Sequence, residues 1–121
     1  MKIAIYPGSF DPCTKGHLDI IRRSAAMFDQ LVVALLSQEA KRYLFSPEER
    51  KEMLLEITKE FKNVRVISDT GLLVDVVRRE GADLIVRGLR NSSDLLFEMQ
   101  MAEANRQIGN IETVFISCLP E

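Results

Sequence analysis

The sequence is poor in the residues that build metal sites and disulfide frameworks, since its 121 residues include one histidine and two cysteines. Any chemistry that needs an imidazole must use His17, and a site with several histidine ligands is excluded. Cys13 and Cys118 form no CxxC pair and no disulfide framework. This cysteine usage is typical of a protein kept reduced in the cytoplasm.

Long apolar runs and a dominant charge sign are also missing. No apolar run approaches the roughly 20 residues that are needed to span a bilayer. The 18 acidic and 16 basic side chains leave a net charge of −2. We therefore expect neither a membrane nor a nucleic acid as a partner, although a local basic cluster could still bind phosphate.

The composition that remains is that of an ordinary globular protein, 46% hydrophobic and 28% charged. The length predicts a single domain over residues 1–121. Hydrophobic periodicity predicts strands and helices that alternate along the chain. The predicted strands are residues 2–6, 30–36, 64–67, 84–86 and 113–117. The predicted helices are residues 14–28, a helix that starts at Ser46 and buries a stripe up to Phe61, residues 72–80 and residues 94–107.

Local signals set the ends of these elements. Pro7-Gly8 is expected to close the first strand, and Arg87-Gly88 the fourth. Ser46 and Glu49 have the spacing of a capping box around Pro47, and Gly81 is a natural helix C-cap.

Strands that alternate with helices indicate an α/β fold, a doubly wound parallel five-stranded sheet. In such a sheet the ligand site lies beyond the carboxyl ends of the strands. Three loops reach that edge: residues 7–15, 37–45 and 87–93.

The first of these loops carries the main chemical signal. Gly8 and Ser9 follow a strand, and the run Thr14-Lys15-Gly16-His17 opens a helix. Free amide N–H groups and the positive end of a helix dipole converge at such a turn, which favours a phosphate. The spacing is neither that of a P-loop nor that of GxGxxG. The residues alone leave a second interpretation open, in which the glycine shapes a turn and His17 caps the helix.

Two segments of the chain carry a specific resemblance. Residues 6–12 with the run Thr14-Lys15-Gly16-His17 resemble the (T/H)xGH signature of nucleotidyltransferases. Residues 84–90, which end in Arg87-Gly88-Leu89-Arg90, resemble the corresponding segment of bacterial phosphopantetheine adenylyltransferases. The similarity continues through Phe97-Glu98 and Asn105-Arg106 and covers essentially the whole chain. It implies a Rossmann-like nucleotidyltransferase fold and transfer of the adenylyl group of ATP to 4′-phosphopantetheine, with dephospho-coenzyme A and pyrophosphate as products.

The resemblance also implies roles for individual residues. The catalytic residues would be His17 and Lys41. The residues implied for ATP are Ser9, Phe10 (through its backbone N–H), His17, Gly88, Leu89, Arg90 and Glu98. The residues implied for phosphopantetheine are Ser9, Lys41, Leu73 and Arg87. From the sequence alone, the Phe10 ring and Leu73 would be assigned to the core, and Glu98 could be an exposed helix residue.

The implied chemistry needs no protein nucleophile, because the phosphate of the acceptor attacks ATP directly. Mg²⁺ is expected to arrive with ATP and to be held by phosphates and water, since the sequence shows no carboxylate cage. Two other functions stay open: a related nucleotidyltransferase with another acceptor, such as nicotinate mononucleotide or glycerol phosphate, and a non-catalytic nucleotide-binding module.

Two further expectations concern the last helix and the end of the chain. Five apolar side chains crowd residues 95–101 and spread over more than one helical face, so part of this surface would need a cover. The resemblance implies a hexamer of two trimers, and our hypothesis is that this helix forms part of the contact. It also implies a Ser-rich segment and a further helix after the fifth strand. Because the sequence ends at Glu121, we expect an incomplete nucleotide site on that side.

Overall fold

The computed structural model describes residues 1–38 and 41–118, which form five strands and four helices in strict alternation. The strands are β1 (Ile3–Gly8), β2 (Gln30–Leu36), β3 (Val64–Asp69), β4 (Leu84–Leu89) and β5 (Glu112–Ser117). The helices are α1 (Lys15–Met27), α2 (Pro47–Thr58), α3 (Leu73–Glu80) and α4 (Ser92–Gly109). Among the helices described, none is long and apolar enough to cross a membrane. The expectation of an incomplete nucleotide site concerns the end of the sequence, residues 119–121, which lie outside the described residues.

The strands form one parallel sheet in the order β3-β2-β1-β4-β5. β1 pairs with β2 along six residues, from Ile3 with Gln30 to Gly8 with Leu35. It pairs with β4 at two positions, Ala4 with Leu84 and Ile5 with Ile85. The two central strands therefore separate toward their carboxyl ends. In a doubly wound sheet this is the topological switch point, where ligands bind.

Buried side chains alternate between the two faces of the sheet, as the period of a strand requires. On one face Tyr6, Leu31 and Val33 pack against Ile20 of α1 and Leu54 of α2. On the other face Ile5, Val32 and Ile85 pack against Val76 of α3. Helices therefore cover both faces, which confirms the prediction of a doubly wound parallel sheet.

The predicted helix signals are present in the structure. Ser46 accepts a hydrogen bond from the Glu49 backbone N–H at 3.1 Å, and the Glu49 carboxylate accepts one from the Ser46 N–H at 3.0 Å. Pro47 occupies the first helical position of α2. Gly81 ends α3 in the left-handed conformation, with φ of 69°. These local signals were sufficient because each satisfies backbone groups within a few residues of the helix end.

Three strands end later than predicted, among them β3, which ends at Asp69 rather than Ile67. β1 continues through Pro7 to Gly8, and β4 continues through Arg87 and Gly88 to Leu89. Pro7 fits inside a strand because its carbonyl points toward β4, where it accepts a hydrogen bond from the Arg87 side chain. In a strand the N–H and the carbonyl of one residue point to the same side, so the N–H that Pro7 lacks would also point toward β4, beyond the last β1–β4 pair. Its absence therefore costs no hydrogen bond to β2, and that pairing is kept.

α4 also departs from the prediction. It begins at Ser92 rather than at Asp94, because the Asn91 side chain caps it by accepting from the Asp94 N–H at 3.0 Å. The five apolar side chains of residues 95–101 do not pack on the sheet and are 39–67% exposed. The buried residue of α4 is the charged Glu98, at 8% exposure.

Two adjacent leucines in α2 test this arrangement. Leu54 is completely buried, whereas Leu55 is 48% exposed. We expect Leu54→Ala to lower the free energy of unfolding by about 2–5 kcal/mol, because it leaves a cavity between α2 and the sheet. Leu55→Ala, which has the same chemistry in the same helix, should cost less than about 1 kcal/mol. Urea denaturation followed by circular dichroism measures both, and equal losses would contradict the packing described.

Candidate active site

Two adjoining cavities lie at the carboxyl edge of the sheet, each of about 430 Å³. The three loops predicted to reach this edge contribute to their walls. Both cavities are lined by Ser9, Arg87 and Glu98, which separate one from the other. The first cavity also contains His17 and Arg90. The second also contains Lys41 and Leu73, so the structure does not place Lys41 in the cavity of His17.

His17 occupies the first turn of α1, where its ring completes a capping box. The Thr14 N–H donates to Nδ1 at 2.9 Å, and the Thr14 hydroxyl accepts from the His17 N–H at 3.3 Å. The two interpretations left open by the sequence are therefore compatible, because the ring caps the helix and also lines the first cavity. With Nδ1 as the acceptor, the proton of a neutral ring resides on Nε2.

The surroundings of His17 favour this neutral form. Burial of the ring lowers its pKa below the ordinary 6.5, and the positive charges of Arg90 and Arg87 lower it further. At pH 7 the imidazole is thus an uncharged donor. Because folding depresses this pKa, its contribution to stability is present above pH 6.5 and is lost as the pH falls through the folded-state value.

Phe10 shapes the same loop. Its backbone is in the left-handed region, with φ of 46°, and its ring is 2% exposed. The ring packs edge-on against Tyr6, with centroids 5.4 Å apart, and against His17, with centroids 5.1 Å apart. The assignment of this ring to the core is confirmed. Gly8 gives it room, because a Cβ at that position would lie 3.1 Å from the ring.

Arg87 and Glu98 form a two-pronged ion pair between the cavities. Nε and Nη2 of Arg87 each donate to a different Glu98 oxygen at 2.9 Å, and Nη1 donates to the Pro7 carbonyl at 2.8 Å. The hydrogen bond to Glu98 raises the pKa of Arg87. Glu98 is therefore not the exposed helix residue that the sequence left possible. The ion pair offsets the free-energy cost of burying the Glu98 carboxylate and holds both side chains in place.

The remaining residues of the Arg-Gly-Leu-Arg run have unequal access to the site. Arg90 lines the first cavity, and its side chain is 77% exposed with Asp94 at 3.6 Å. Gly88 also lines it, and a Cβ there would come within 2.8 Å of the Cys118 sulfur. Leu89 is not among the residues that line either cavity. Its carbonyl accepts from the Cys118 N–H at 2.7 Å, next to β5.

The second cavity is bounded by the loop after β2, which other side chains hold in place. The Asp11 carboxylate accepts from the N–H groups of Leu44 and Phe45 at 2.6 and 2.9 Å. The Tyr43 hydroxyl accepts from the Gln38 N–H at 2.8 Å. Leu73 lies at the opposite wall, half-buried, so it lines the cavity and also packs against the core.

Sequence reasoning missed three residues of this region: Asp11, Tyr43 and Arg50. Asp11 and Tyr43 bond to backbone groups about 33 and 5 positions away, and a sequence gives no sign of such partners. Arg50 did carry a signal. A basic residue near the start of a helix opposes the helix dipole, and this conflict is a signal from which another role could have been inferred. It is completely buried beside the site.

Comparison with known proteins places this geometry in a family. The cytidylyltransferase-like family matches residues 5–118. Phosphopantetheine adenylyltransferase of Syntrophus aciditrophicus is 54% identical over 116 residues, which cover 95% of this chain and 70% of that protein. The enzyme of the same name from Caldanaerobacter subterraneus is 49% identical, over 100% of this chain and 76% of that protein.

Solved structures agree on the fold. A lipopolysaccharide core biosynthesis protein from Thermoplasma volcanium superposes with a TM-score of 0.70 at 21% identity, over 100% of this chain and 98% of that one. A bifunctional NMN adenylyltransferase/ADP ribose pyrophosphatase from Francisella tularensis gives 0.71 at 16% identity, over 99% of this chain and 39% of that one.

The fold and the site thus define a cytidylyltransferase-like nucleotidyltransferase. Because the chain is about half identical to the two phosphopantetheine adenylyltransferases described above, it belongs to that family within the class.

The single histidine makes its charge state directly measurable. We expect the His17 ring proton in an NMR titration to report a pKa below 6.5, because of burial and the two arginines. Arg90→Gln should move that pKa upward, since it removes one of the positive charges. Arg22→Gln, at an exposed position of α1, is the matched control and should leave it unchanged. A wild-type pKa at or above 6.5 would contradict the environment described.

Proposed function

We propose that this chain transfers the adenylyl group of ATP to 4′-phosphopantetheine, a reaction that fits the name phosphopantetheine adenylyltransferase carried by its relatives. The observation that carries the proposal is the pair of cavities that meet at Ser9, Arg87 and Glu98 where β1 and β4 separate. Two phosphorylated substrates bound side by side would bring their phosphates together at that boundary. Apart from Leu89, the residues expected for ATP line the first cavity, and those expected for the acceptor line the second.

The proposed reaction is a single in-line displacement. An oxygen of the acceptor phosphate attacks the α-phosphorus of ATP, a new P–O bond forms, and the bond to the β-phosphate oxygen breaks with release of pyrophosphate. The protein positions the two groups and stabilises the negative charge that develops. No covalent enzyme intermediate is required.

Each charged group then has a proposed role. His17 donates from Nε2 to the phosphate chain of ATP, and its neutral form avoids adding repulsion next to Arg87 and Arg90. Arg90 adds positive charge from the rim of the first cavity, and Lys41 does so from the second. Arg87, kept ionised by Glu98, stands between the two substrates. Ser9 offers its hydroxyl to both.

We further propose that Mg²⁺ enters with ATP. Within residues 1–38 and 41–118, no group of three or more His, Cys, Asp or Glu side chains could hold a metal ion. Asp94, the carboxylate at the rim of the first cavity, already lies 3.6 Å from Arg90. This donor set fits an ion held by phosphates and water, where it would neutralise phosphate charge. We also propose a cytoplasmic location, where ATP is available and thiols stay reduced.

We propose in addition that α4 mediates self-association. Its side chains Leu96, Phe97 and Met99 are 67%, 60% and 54% exposed, and Ile108 near its end is 71% exposed. So many exposed apolar side chains on one helix are typical of a subunit interface. A homo-oligomer, with the hexamer as the expected form, would bury it.

Sedimentation tests the association. We expect the protein to sediment as an oligomer well above 13.8 kDa, and Leu96→Asp to shift it toward the monomer because a charge would be buried in the interface. Leu55→Asp places the same charge on an exposed leucine of α2 and should leave the oligomer intact. A wild-type monomer at micromolar concentration would overturn the proposal.

A coupled assay of pyrophosphate release tests the function. With ATP, we expect turnover with 4′-phosphopantetheine and much less with nicotinate mononucleotide or glycerol phosphate. His17→Ala should lower kcat by about 10²–10³-fold, the usual effect of removing a donor aimed at developing charge. When this variant is purified and assayed in the same way as the wild type, the comparison shows whether the activity comes from the first cavity.

Other results of the assay point elsewhere. Preference for another acceptor would indicate a related nucleotidyltransferase. Binding of ATP without turnover for any acceptor would indicate a nucleotide-binding module. Unchanged turnover in His17→Ala would refute the role of the ring in charge stabilisation.

A further inference from the structure

We infer that Arg50 is a positioning residue, which holds the Ser9 turn and the loop after β2 in register so that the two substrates meet at the required distance. The inference rests on the proposed function for its kinetic consequence and on geometry alone for the anchoring itself. Arg50 lies in α2, with a side chain that is 0% exposed. It touches neither substrate in the proposed arrangement.

The guanidinium bonds to three segments that surround the site. Nη1 donates to the Ser9 carbonyl at 2.9 Å, Nη2 donates to the Ser37 hydroxyl at 3.0 Å, and Nε donates to the Phe45 carbonyl at 3.0 Å. Ser9 follows β1 and Ser37 follows β2, while Phe45 precedes α2. One planar group therefore fixes the Ser9 turn, which is distant in sequence, relative to both ends of the loop between β2 and α2.

An aromatic contact restricts the guanidinium further. Its central carbon lies 4.0 Å from the centroid of the Tyr43 ring, so the ring covers one side of the plane. Tyr43 itself accepts from the Gln38 N–H, at the start of the loop that carries Lys41. Arg50 thus connects the turn of Ser9 to both sides of the Lys41 loop.

The burial of this cation has a functional reason. The three acceptors are two carbonyls and a hydroxyl, so each guanidinium nitrogen has one partner but none of the partners supplies a negative charge. Burial of an arginine costs free energy, and an apolar side chain would fill the space between α2 and the sheet more cheaply. The planar fork offers what an apolar side chain cannot, namely directed bonds to Ser9, which lines both cavities, and to Ser37, which lines the second.

The test compares Arg50→Lys with Arg22→Lys, the same change at an exposed position of α1. A lysine keeps the charge but cannot bond to three acceptors in the geometry of the fork. Hydrogen exchange is measured on the ligand-free proteins over residues 8–11 and 43–46. We expect Arg50→Lys to exchange at least about tenfold faster in both segments, with residues 31–35 of β2 unchanged, and Arg22→Lys to behave as wild type.

Kinetics on the same samples supply the second measurement. For pyrophosphate release from ATP and 4′-phosphopantetheine, Arg50→Lys should lower kcat by about 100-fold with both KM values within about threefold of wild type, because misplacement affects the reacting geometry more than binding. The melting temperature gives the folded fraction at the assay temperature. Ser37→Ala retains Arg50 but removes one acceptor, and it should lower kcat by about tenfold. This variant replaces Arg50→Lys in the test if Arg50→Lys does not fold.

The outcomes separate this inference from the proposed function. Unchanged exchange in residues 8–11, or a loss of kcat no larger than the loss of folded protein, would overturn the positioning role. Wild-type protein that releases no pyrophosphate would refute the proposed function, while faster exchange in Arg50→Lys would still support the anchoring.

Discussion

The site depends on the separation of the two central strands. β1 and β4 pair at Ala4 and Ile5, and beyond these positions Pro7 has no N–H to offer. The Arg87 side chain takes over the position of a ladder hydrogen bond by donating to the Pro7 carbonyl. A guanidinium is thereby built into the sheet where an amide would otherwise stand. Because the same group binds Glu98 of α4, the gap between the strands is kept open and divided into two cavities.

Electrostatic balance within this gap follows from the same placement. Arg87 is neutralised by Glu98, whereas Arg90 faces the first cavity from an exposed position. His17, which is partly buried and lines the same cavity as both arginines, has a lowered pKa and avoids a third positive charge. The neutral His17 ring can donate its free N–H to a phosphate, so it can bind the anion without first becoming a cation. Preorganisation of this kind suits a reaction in which charge shifts but no protein atom changes its bonding partners.

The sequence predicted the fold well because its signals were local. The capping box at Ser46 and the helix end at Gly81 each reflect interactions within a few residues, and the strands show as short apolar runs in the sequence. It also placed Ser9, His17, Arg87 and Arg90 at one edge of the sheet. The sequence could not show that Lys41 and His17 line different cavities, or that Arg87 pairs with Glu98. Both arrangements depend on the directions of side chains from different strands and helices. Arg50, Asp11 and Tyr43 were missed because their partners, which are backbone groups and, for Arg50, also the Ser37 hydroxyl and the Tyr43 ring, are brought close only by the fold.

The clamp formed by Asp11 has a consequence for how the surrounding sequence can diverge. Its carboxylate holds the amide groups of Leu44 and Phe45, and Leu44 points into solvent at 79% exposure. Every amino acid except proline supplies such an amide, so position 44 is free to drift during evolution as long as the aspartate is retained. Of the groups in this clamp only the Asp11 carboxylate depends on the identity of its residue, so the side chain at position 44 can change the surface chemistry of the loop without removing the clamp.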